Sequence, residues 1–424
     1  MFLKSIKLKN FRCFSNHELS FVDDDSDNKK VSIRKTTVLL GDNGTGKSNL
    51  LKAIGLVTAG RDALAELLDE PKSWIQVGKR FCQLDAVLKT ATGEERQVFL
   101  RIEEKDTVSK VLDRAKKSLT ELNEALEHTN RNYFVLAYGA SRRLNVNRGH
   151  RTRSSDYNHV RARSVSTLFN PDATLNPIES WAMDMDYLKN RGAMNVISKV
   201  MSEFLRGVEF SKIDKKKGQL IFKTPFGTVP MSQLSDGYQN VAAWIGDMLH
   251  QITETFDDYK APLKTSGLLL IDEVDLHLHL RWQRDLLAFL RRKLPNFQVV
   301  ATTHSPITAQ QANENELHYL ERHGKSLKLH QFTGVPKELL LHQLVMSDAF
   351  GLVSDESVVL EKKKARYEKL CYAKNRTAAQ KKEMERLEKE LSLVPQTVRS
   401  NVPMSREHVD LLKTIQKELE VRKS

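Results

Sequence analysis

A glycine-rich loop constrains the fold of this chain more than any other feature. The stretch GDNGTGKS, residues 41–48, has the spacing G-x-x-x-x-G-K-[ST]. It follows the apolar run KTTVLL and precedes KSNLLKAIGLV, which has the pattern of a helix. Because glycine has no Cβ, consecutive backbone N–H groups in such a loop can point at one anion. The pattern therefore predicts a buried strand, a phosphate-binding loop and a helix, in that order.

The residue types in this loop suggest a role for each position. Lys47 is expected to neutralise the β- and γ-phosphates of a nucleotide, and Ser48 to give its hydroxyl to Mg²⁺. The N-terminus of the following helix favours an anion through its free N–H groups. The predicted nucleotide-binding residues of the loop are Asn43, Gly44, Thr45, Gly46, Lys47, Ser48 and Asn49. ATP and Mg²⁺ are thus the predicted cofactors.

Two carboxylates end a second apolar run. The stretch LLLIDE places Asp272 at the carboxyl end of a buried strand, where open α/β sheets bind ligands. We expect Asp272 to contact Mg²⁺ and Glu273 to position or deprotonate an attacking water. The stretch TTHSP ends the next strand, and its His304 is predicted to hydrogen-bond the γ-phosphate and that water. The predicted catalytic residues are therefore Glu273 and His304.

A serine-glycine loop, LSDGYQN at residues 234–240, precedes a long amphipathic pattern. Ser235 and Gly237 would therefore stand at a helix N-terminus, where free N–H groups suit a phosphate. Both are predicted to bind ATP. Asp236 puts a negative charge near that anion, unless it caps the helix and points away from the ligand.

Short buried strands alternate with amphipathic helices, which favours an α/β fold with a mostly parallel sheet. We expect residues 1–332 to form this domain, with a helical and arginine-rich insertion at about 105–215. Residues 333–424 are predicted to form a helical C-terminal region for oligomer or partner contacts. Within it, residues 361–394 are predicted to be one long charged helix with a solvated face. A docking helix, or a hairpin arm with residues 405–420, is the alternative.

Composition narrows the class of protein further. A net charge of +13 makes nucleic acid a candidate partner. Part of this charge comes from seven arginines, which suit phosphate contacts on nucleic acid or across a dimer, or form a basic loop without a specific role. They are Arg142, Arg143, Arg148, Arg151, Arg153, Arg161 and Arg163. The 3 cysteines are far apart and form no CxxC pair, and no apolar run has membrane-spanning length. A cytoplasmic protein without a disulfide framework is expected.

The order of phosphate loop, serine-glycine loop, acidic strand and histidine resembles the ABC-type ATPases of the RecF, SMC and OLD group. The resemblance covers residues 1–60 and 230–310 well. It implies that LSDGYQN is a variant of the LSGGQ signature, which closes over the phosphate loop of a second chain. It also implies that an Asn-Phe-Arg segment lies beside the adenine, so Asn10 and Arg12 are candidate nucleotide contacts.

The same resemblance implies a glutamine that couples Mg²⁺ to the rest of the domain. Gln83, at the start of a predicted hairpin strand over residues 81–104, is preferred to Gln76. Other parts of the chain depart from the group. The acidic TOPRIM pattern of OLD nucleases is not found after His304, and the long heptad insertion of SMC proteins is missing. His279 stands near the place of an aspartate in transporter ATPases.

Four stretches give a narrower resemblance, to the ATPase subunit family (PtuA) of the Septu anti-phage defence system. They are VLAYGASRR, STLFNPDATLNPIESWAM, QLSDGYQN and LHQLVMSDAFGL. That family pairs an ATPase with a separate HNH nuclease subunit (PtuB-like). The resemblance implies a homo-oligomer, at least a head-to-tail dimer around ATP, that controls a partner's cutting of nucleic acid. A RecF-like DNA-binding repair ATPase, a scaffold joined by ATP, and an OLD-like nuclease remain alternatives.

Overall fold

The computed structural model describes residues 2–24, 31–90, 93–127, 134–144, 157–188, 191–205, 207–255, 262–324, 326–352, 354–373 and 377–392. Contacts divide the chain into two compact units, Met1–Leu352 and Val353–Ser424. Among the described residues, no helix is long and apolar enough to cross a membrane.

The elements follow one another in a mixed order of strands and helices. The strands are β1 (Phe2–Phe11), β2 (Phe14–Ser20), β3 (Val22–Asp24), β4 (Val31–Ile33), β5 (Thr36–Gly41), β6 (Phe81–Lys89), β7 (Glu95–Glu103), β8 (Val135–Tyr138), β9 (Arg143–Leu144), β10 (Thr174–Leu175), β11 (Glu209–Asp214), β12 (Gln219–Thr224), β13 (Gly227–Pro230), β14 (Gly267–Ile271), β15 (Phe297–Thr302), β16 (Leu317–His323) and β17 (Ser326–Gln331). The helices are α1 (Lys47–Thr58), α2 (Arg61–Leu67), α3 (Val108–Arg114), α4 (Lys116–Glu127), α5 (Val160–Arg163), α6 (Ser166–Phe169), α7 (Ile178–Tyr187), α8 (Arg191–Phe204), α9 (Asp236–Thr255), α10 (Leu280–Lys293), α11 (Pro306–Gln310), α12 (Leu341–Val345), α13 (Val358–Cys371) and α14 (Ala378–Ser392).

A six-stranded sheet of order β17-β16-β5-β15-β14-β8 carries the phosphate loop and the acidic strand. Its strands are parallel except β17, which runs antiparallel to β16. Side chains of β14 alternate between two hydrophobic cores, Leu268 and Leu270 in one and Leu269 and Ile271 in the other. A sheet buried on both faces needs continuous apolar strands. This requirement explains why LLLI was recognisable from sequence, and the predicted fold class is confirmed.

The first core lies between this sheet and an antiparallel sheet of order β2-β1-β6-β7, with α1 to α4. The hairpin predicted over residues 81–104 is confirmed, because β6 and β7 pair from Phe81 opposite Glu103 to Lys89 opposite Glu95. The antiparallel sheet places β1, and the turn that follows it, close to the phosphate loop: a Cβ on Gly46 would lie 2.4 Å from the Cys13 sulfur.

The second core covers the opposite face of the six-stranded sheet. It is formed by α7 to α10 and by the three-stranded sheet of order β11-β12-β13. Helix α9 runs through it and buries most of its apolar side, including Trp244, Ile245 and Leu249. Since burying one large apolar side chain contributes about 1.5–3 kcal/mol, the part of α9 from Val241 onward is held firmly in place.

The first unit contains a third, smaller hydrophobic core. Leu344 and Ala349 pack there with Val38 and Leu287. The first compact unit therefore extends to Leu352, past the predicted boundary at residue 332. The assignment of residues 333–424 to oligomer or partner contacts stays a prediction.

The prediction of one long helix over residues 361–394 is wrong. Two helices, α13 and α14, stand there instead and pack against each other. Thr377 starts the second helix, because its hydroxyl accepts from the N–H of Gln380 and its N–H donates to the Gln380 side chain. An ion pair of 2.8 Å between Arg366 and Glu383 joins the two helices. Residues 405–420 lie outside the described part of the chain.

Candidate nucleotide site

A chain of hydrogen bonds joins the phosphate loop to the acidic strand. The hydroxyl of Ser48 donates to Oδ2 of Asp272 at 2.5 Å. Oδ1 of Asp272 accepts a second hydrogen bond, of 2.6 Å, from Oγ1 of Thr302 at the end of β15. Oγ1 of Thr302 in turn accepts a hydrogen bond of 2.7 Å from the backbone N–H of Glu273. The parallel strands β5, β14 and β15 thus bring three predicted site residues, Ser48, Asp272 and Glu273, to one edge of the sheet.

Lys47 lies buried inside the phosphate loop. Its ammonium donates to the carbonyl oxygens of Gly41 at 2.7 Å and Asp42 at 3.0 Å. Burial lowers the pKa of Lys47, while the charges of Asp272 and Glu273 act in the opposite direction. The charges of Asp272 and Glu273 therefore favour the protonated form of Lys47. Its positive charge lies beside Ser48 and Asp272, where a bound phosphate group would need neutralising.

Two glycines give the loop a conformation that other residues adopt only at a cost. Gly44 and Gly46 have φ values of 76° and 93°. A Cβ on Gly46 would also collide with the sulfur of Cys13. At Gly44 nothing lies within 4 Å of the Cβ position, and Asn43 next to it is exposed. Thr45 is buried, and its hydroxyl donates to the Asp42 carbonyl at 2.8 Å.

The Asn-Phe-Arg segment forms a tight turn at the end of β1. Asn10 and Arg12 both have left-handed backbone conformations, with φ of 51° and 48°. The Arg12 guanidinium lies 4.3 Å from the centre of the Trp74 ring. The next residue, Cys13, accepts a hydrogen bond of 3.7 Å from Asn49 of α1. The turn thus lies beside the phosphate loop, while its contacts with a nucleotide stay a prediction.

His304 follows β15 and is exposed. Although part of its surface is exposed, nearby protein atoms desolvate the ring and lower its pKa, and the positive charge of Lys47 acts in the same direction, so the imidazole is neutral at pH 7. Its neighbour Thr303 donates to the buried carboxylate of Asp275 at 2.5 Å. This bond ties the His304 segment to the loop that follows Glu273.

The two candidate glutamines are next to the β1 strand and the turn that follows it, since Gln83 pairs with Lys9 and Gln76 bonds to Asn10. Gln83 on β6 donates to the carboxylate of Asp85 at 2.8 Å. Gln76 donates its backbone N–H to the Asn10 carbonyl at 2.8 Å. Among the described residues, no hydrogen bond joins either glutamine to Asp272. The role of Gln83 at the metal stays a prediction.

The serine-glycine loop over residues 234–240, the predicted signature and hereafter the signature loop, stands at the N-terminus of α9, with Ser235 and Asp236 exposed. Asp236 is the first helical residue, so the capping position falls on Ser235 rather than on Asp236. A groove of about 490 Å³ lies beside Ser235 and Gly237 and is also lined by His277. Among the described residues, no hydrogen bond connects Ser235 or Gly237 to residues 41–49.

The structure adds one residue to this region that the sequence did not assign, Arg142. It follows β8, which pairs in parallel with β14, so it lies next to Asp272. Its guanidinium donates to the carbonyl oxygens of Asp272 and Glu273, the latter at 2.5 Å. The side chain is only 4% exposed and is unavailable to nucleic acid. Arg148, Arg151 and Arg153 lie outside the described residues.

The donor set of the site fits a magnesium nucleotide. Mg²⁺ prefers hard oxygen ligands, and the Ser48 hydroxyl and the Asp272 carboxylate already meet at 2.5 Å. A buried ammonium, a left-handed glycine loop and the N-terminus of the 12-residue helix α1 surround them. These features, on a largely parallel sheet with a signature helix, define a P-loop ATPase of ABC type.

Comparison with known proteins identifies the family. Residues 88–309 match the family model described as "AAA domain, putative AbiEii toxin, Type IV TA system". This range is more than half of the chain, and the chain belongs to that family. Residues 1–144 match a model described as "AAA ATPase domain".

The curated relatives agree with the resemblance drawn from the sequence. Septu protein PtuA from Bacillus mycoides (strain KBAB4) is 26% identical over 392 residues, which cover 92% of this chain and 50% of that protein. The chain thus spans about half the length of this relative. Retron Ec83 probable ATPase from Escherichia coli is 30% identical over 34% of this chain and 26% of that protein. The SMC head domain from Thermotoga maritima, at 16% identity, covers 79% of this chain and 100% of its own with a TM-score of 0.43.

Proposed function

We propose that this chain is the ATP-binding and ATP-hydrolysing subunit of an anti-phage defence complex. It dimerises head to tail around ATP and regulates a partner HNH nuclease that cuts DNA. The observation that carries the ATPase half of this proposal is the hydrogen-bonded chain from Ser48 through Asp272 and Thr302 to Glu273. The match to Septu protein PtuA over 92% of the chain supports the defence role.

Each residue of the site has a distinct task in hydrolysis. Ser48 and Asp272 would hold Mg²⁺, which when bound neutralises charge on the β- and γ-phosphates. Lys47 exchanges its loop carbonyls for phosphate oxygens and so stabilises the nucleotide. Glu273 orients the attacking water and accepts its proton. His304, neutral at pH 7, is able to donate to the γ-phosphate from its exposed position.

The exposed signature loop supports the proposed head-to-tail dimer. Ser235 is exposed at the N-terminus of a 20-residue helix, where free N–H groups attract an anion. No described hydrogen bond joins it to the phosphate loop of its own chain. A second chain is therefore the natural source of the phosphate. Its ATP would be bound between one phosphate loop and the other chain's signature.

The location and the partner complete the proposal. We place the chain in the cytoplasm, because its 3 cysteines are far apart in sequence and suit a reducing compartment. The HNH nuclease subunit (PtuB-like) would carry out the cutting, and ATP binding and hydrolysis in this chain would control it. Nucleic acid would be contacted through the complex.

The dimer is tested by measuring molar mass by light scattering, with and without ATP, in a Glu273→Gln background that slows hydrolysis. We expect the mass to double with ATP. Ser235→Arg should prevent the doubling, because the long arginine side chain would occupy the position at the signature loop where the other chain's phosphate is expected. Ser232→Arg, at an exposed serine just before the signature, is the matched control and should dimerise normally. Equal dimerisation of both arginine variants would overturn the head-to-tail arrangement.

The partner is tested by co-expressing the chain with a candidate HNH nuclease subunit (PtuB-like). We expect the two to co-purify and to cut plasmid DNA, and the chain alone to leave the plasmid intact. Cutting by the purified chain with Mg²⁺ or Mn²⁺ would instead support the OLD-like nuclease. Tight binding of duplex DNA by the chain alone, weakening steeply with salt, would support the RecF-like alternative.

RecF is a real second candidate because the DNA replication and repair protein RecF from Rickettsia akari is 33% identical over 22% of this chain and 22% of that protein.

A further inference from the structure

The guanidinium of Arg142 is buried and donates hydrogen bonds to several segments of the chain. It is 4% exposed, and its Nε donates to the Gly139 carbonyl at 3.1 Å. Nη2 donates to the carbonyls of both Asp272 and Glu273. Nη1 donates to the side-chain oxygen of Asn240 at 3.2 Å. The Arg142 side chain thus connects three parts of the chain. They are the end of β8, the residues Asp272 and Glu273 with the loop that follows them (hereafter the catalytic segment), and the first turns of the signature helix α9.

The backbone that Arg142 holds is in an unusual conformation. Glu273 has φ of 48°, which side chains other than glycine rarely adopt. Two hydrogen bonds keep it there, one from its N–H to Thr302 and one from Arg142 to its carbonyl. Loss of the Arg142 bond would let this residue relax, and its carboxylate would move away from the position that the site requires.

The signature helix touches the same segment at a second point. A Cβ on Gly237 would lie 2.6 Å from the carbonyl oxygen of His277, four residues after Glu273. On the other side, Arg142 and Asn240 line a cavity of about 410 Å³. Helix α9 is therefore in direct contact with the catalytic segment, and Asn240 has open space beside it in which to shift.

We propose that Arg142 is a positioning residue that couples the signature helix, through Asn240, to the backbone of Glu273. A phosphate bound at the signature loop moves the first turns of α9. The Asn240 and Arg142 contact passes that movement to Glu273 of the same chain, which acts on that chain's own ATP. The two ATP sites of the dimer thereby influence each other's rate. This inference rests on the proposed head-to-tail function.

Lysine cannot replace Arg142 in this role. An ammonium is a point charge, whereas the guanidinium presents a planar fork of five N–H donors. Arg142→Lys keeps the charge and loses the simultaneous contacts with the Glu273 carbonyl and Asn240. Burial lowers the pKa of Arg142 to about 10, so the arginine itself stays charged at any pH at which the protein is assayed.

The test measures ATP turnover, ATP affinity and thermal unfolding for Arg142→Lys, Asn240→Ala and the double variant. We expect each single variant to lower kcat about tenfold, the effect of losing roughly one hydrogen bond to a charged group. Affinity for a fluorescent ATP analogue should stay unchanged. The double variant should be no slower than Arg142→Lys, because both changes break the same connection.

Arg34→Lys is the matched control, since Arg34 is equally buried at 4% and clamps Ser20, Asp23 and Thr37 away from the site. It should lower the unfolding temperature and leave kcat per folded molecule unchanged. Wild-type kcat in Asn240→Ala, or fully additive losses in the double variant, would overturn the coupling. ATP-dependent dimerisation, measured separately by light scattering, reports on the proposed function alone. Its failure in the unaltered protein would therefore be distinct from a failure of the coupling.

Discussion

The phosphate-loop side and the signature side of the site use their polar groups differently. On the first side, Ser48, Asp272 and Lys47 all have partners within the chain. On the second side, Ser235 is exposed beside an open groove. One half is assembled by folding alone, whereas the other half offers N–H groups without a described hydrogen bond to residues 41–49. This difference supports the proposal that folding prepares nucleotide binding and that a second chain completes the site for hydrolysis.

Glu273→Gln should have the largest effect on turnover. Replacing the carboxylate by an amide removes the proton acceptor, and we expect kcat to fall by about 10²–10⁴-fold. ATP binding should persist, because the phosphate-loop side is unchanged. Turnover is measured by phosphate release, with Glu314→Gln, an exposed glutamate, as the control. A rate equal to that of the unaltered chain would show that Glu273 is not the base.

Lys47→Ala should weaken the side that folding alone assembles. A charged hydrogen bond contributes about 1.5–3 kcal/mol, so ATP affinity should fall about 10–100-fold. Equilibrium binding of a fluorescent ATP analogue to the isolated chain provides the measurement. Lys79→Ala, at an exposed lysine, should bind normally. Unchanged affinity in Lys47→Ala would place the nucleotide elsewhere.

Gly237→Ala should affect the other side and leave ATP affinity intact. The added Cβ would lie 2.6 Å from the His277 carbonyl oxygen, so the signature helix or the loop must shift. Strain of this kind costs about 1–3 kcal/mol, and we expect kcat to fall about tenfold. Ser232→Ala provides the control. A loss of ATP affinity in the isolated chain equal to that of Lys47→Ala would contradict the division into two sides.

A pH measurement separates the stability of the fold from the chemistry of the site. Burial, with the charge of Arg34, lowers the pKa of His318 to about 4. An unfolded histidine titrates near 6.5, so the unfolded chain binds a proton first as the pH falls. The contribution of His318 to the free energy of unfolding should therefore be constant above about pH 6.5. It should then decrease by up to about 1.4 kcal/mol per pH unit until the folded-state pKa is reached.

His318→Gln should make urea unfolding less sensitive to pH over this range, whereas exposed His323→Gln should not. An unchanged pH dependence in His318→Gln would assign the acid sensitivity to other groups.

Local sequence patterns were sufficient to predict elements whose conformation depends mainly on their own residues. The apolar run before residues 41–48, the glycines of that loop and the four residues before Asp272 predicted strand, loop and strand correctly. The charged stretch over residues 361–394 was misjudged because its helical periodicity continues through the break. The break depends on a capping interaction at Thr377 and on packing of one helix against the other.

The sequence by itself determined the phosphate loop, the acidic strand and the signature loop, because backbone freedom, charge and apolar periodicity are local properties. Only the tertiary structure decided the contacts of Arg142. Its partners, Asn240, Asp272 and Glu273, are about a hundred residues or more away along the chain. Parallel strand pairing brings β8 beside β14 and buries the guanidinium among backbone carbonyls. From the sequence, Arg142 was a candidate for phosphate contacts. In the structure it is buried and hydrogen-bonded to the Glu273 carbonyl instead.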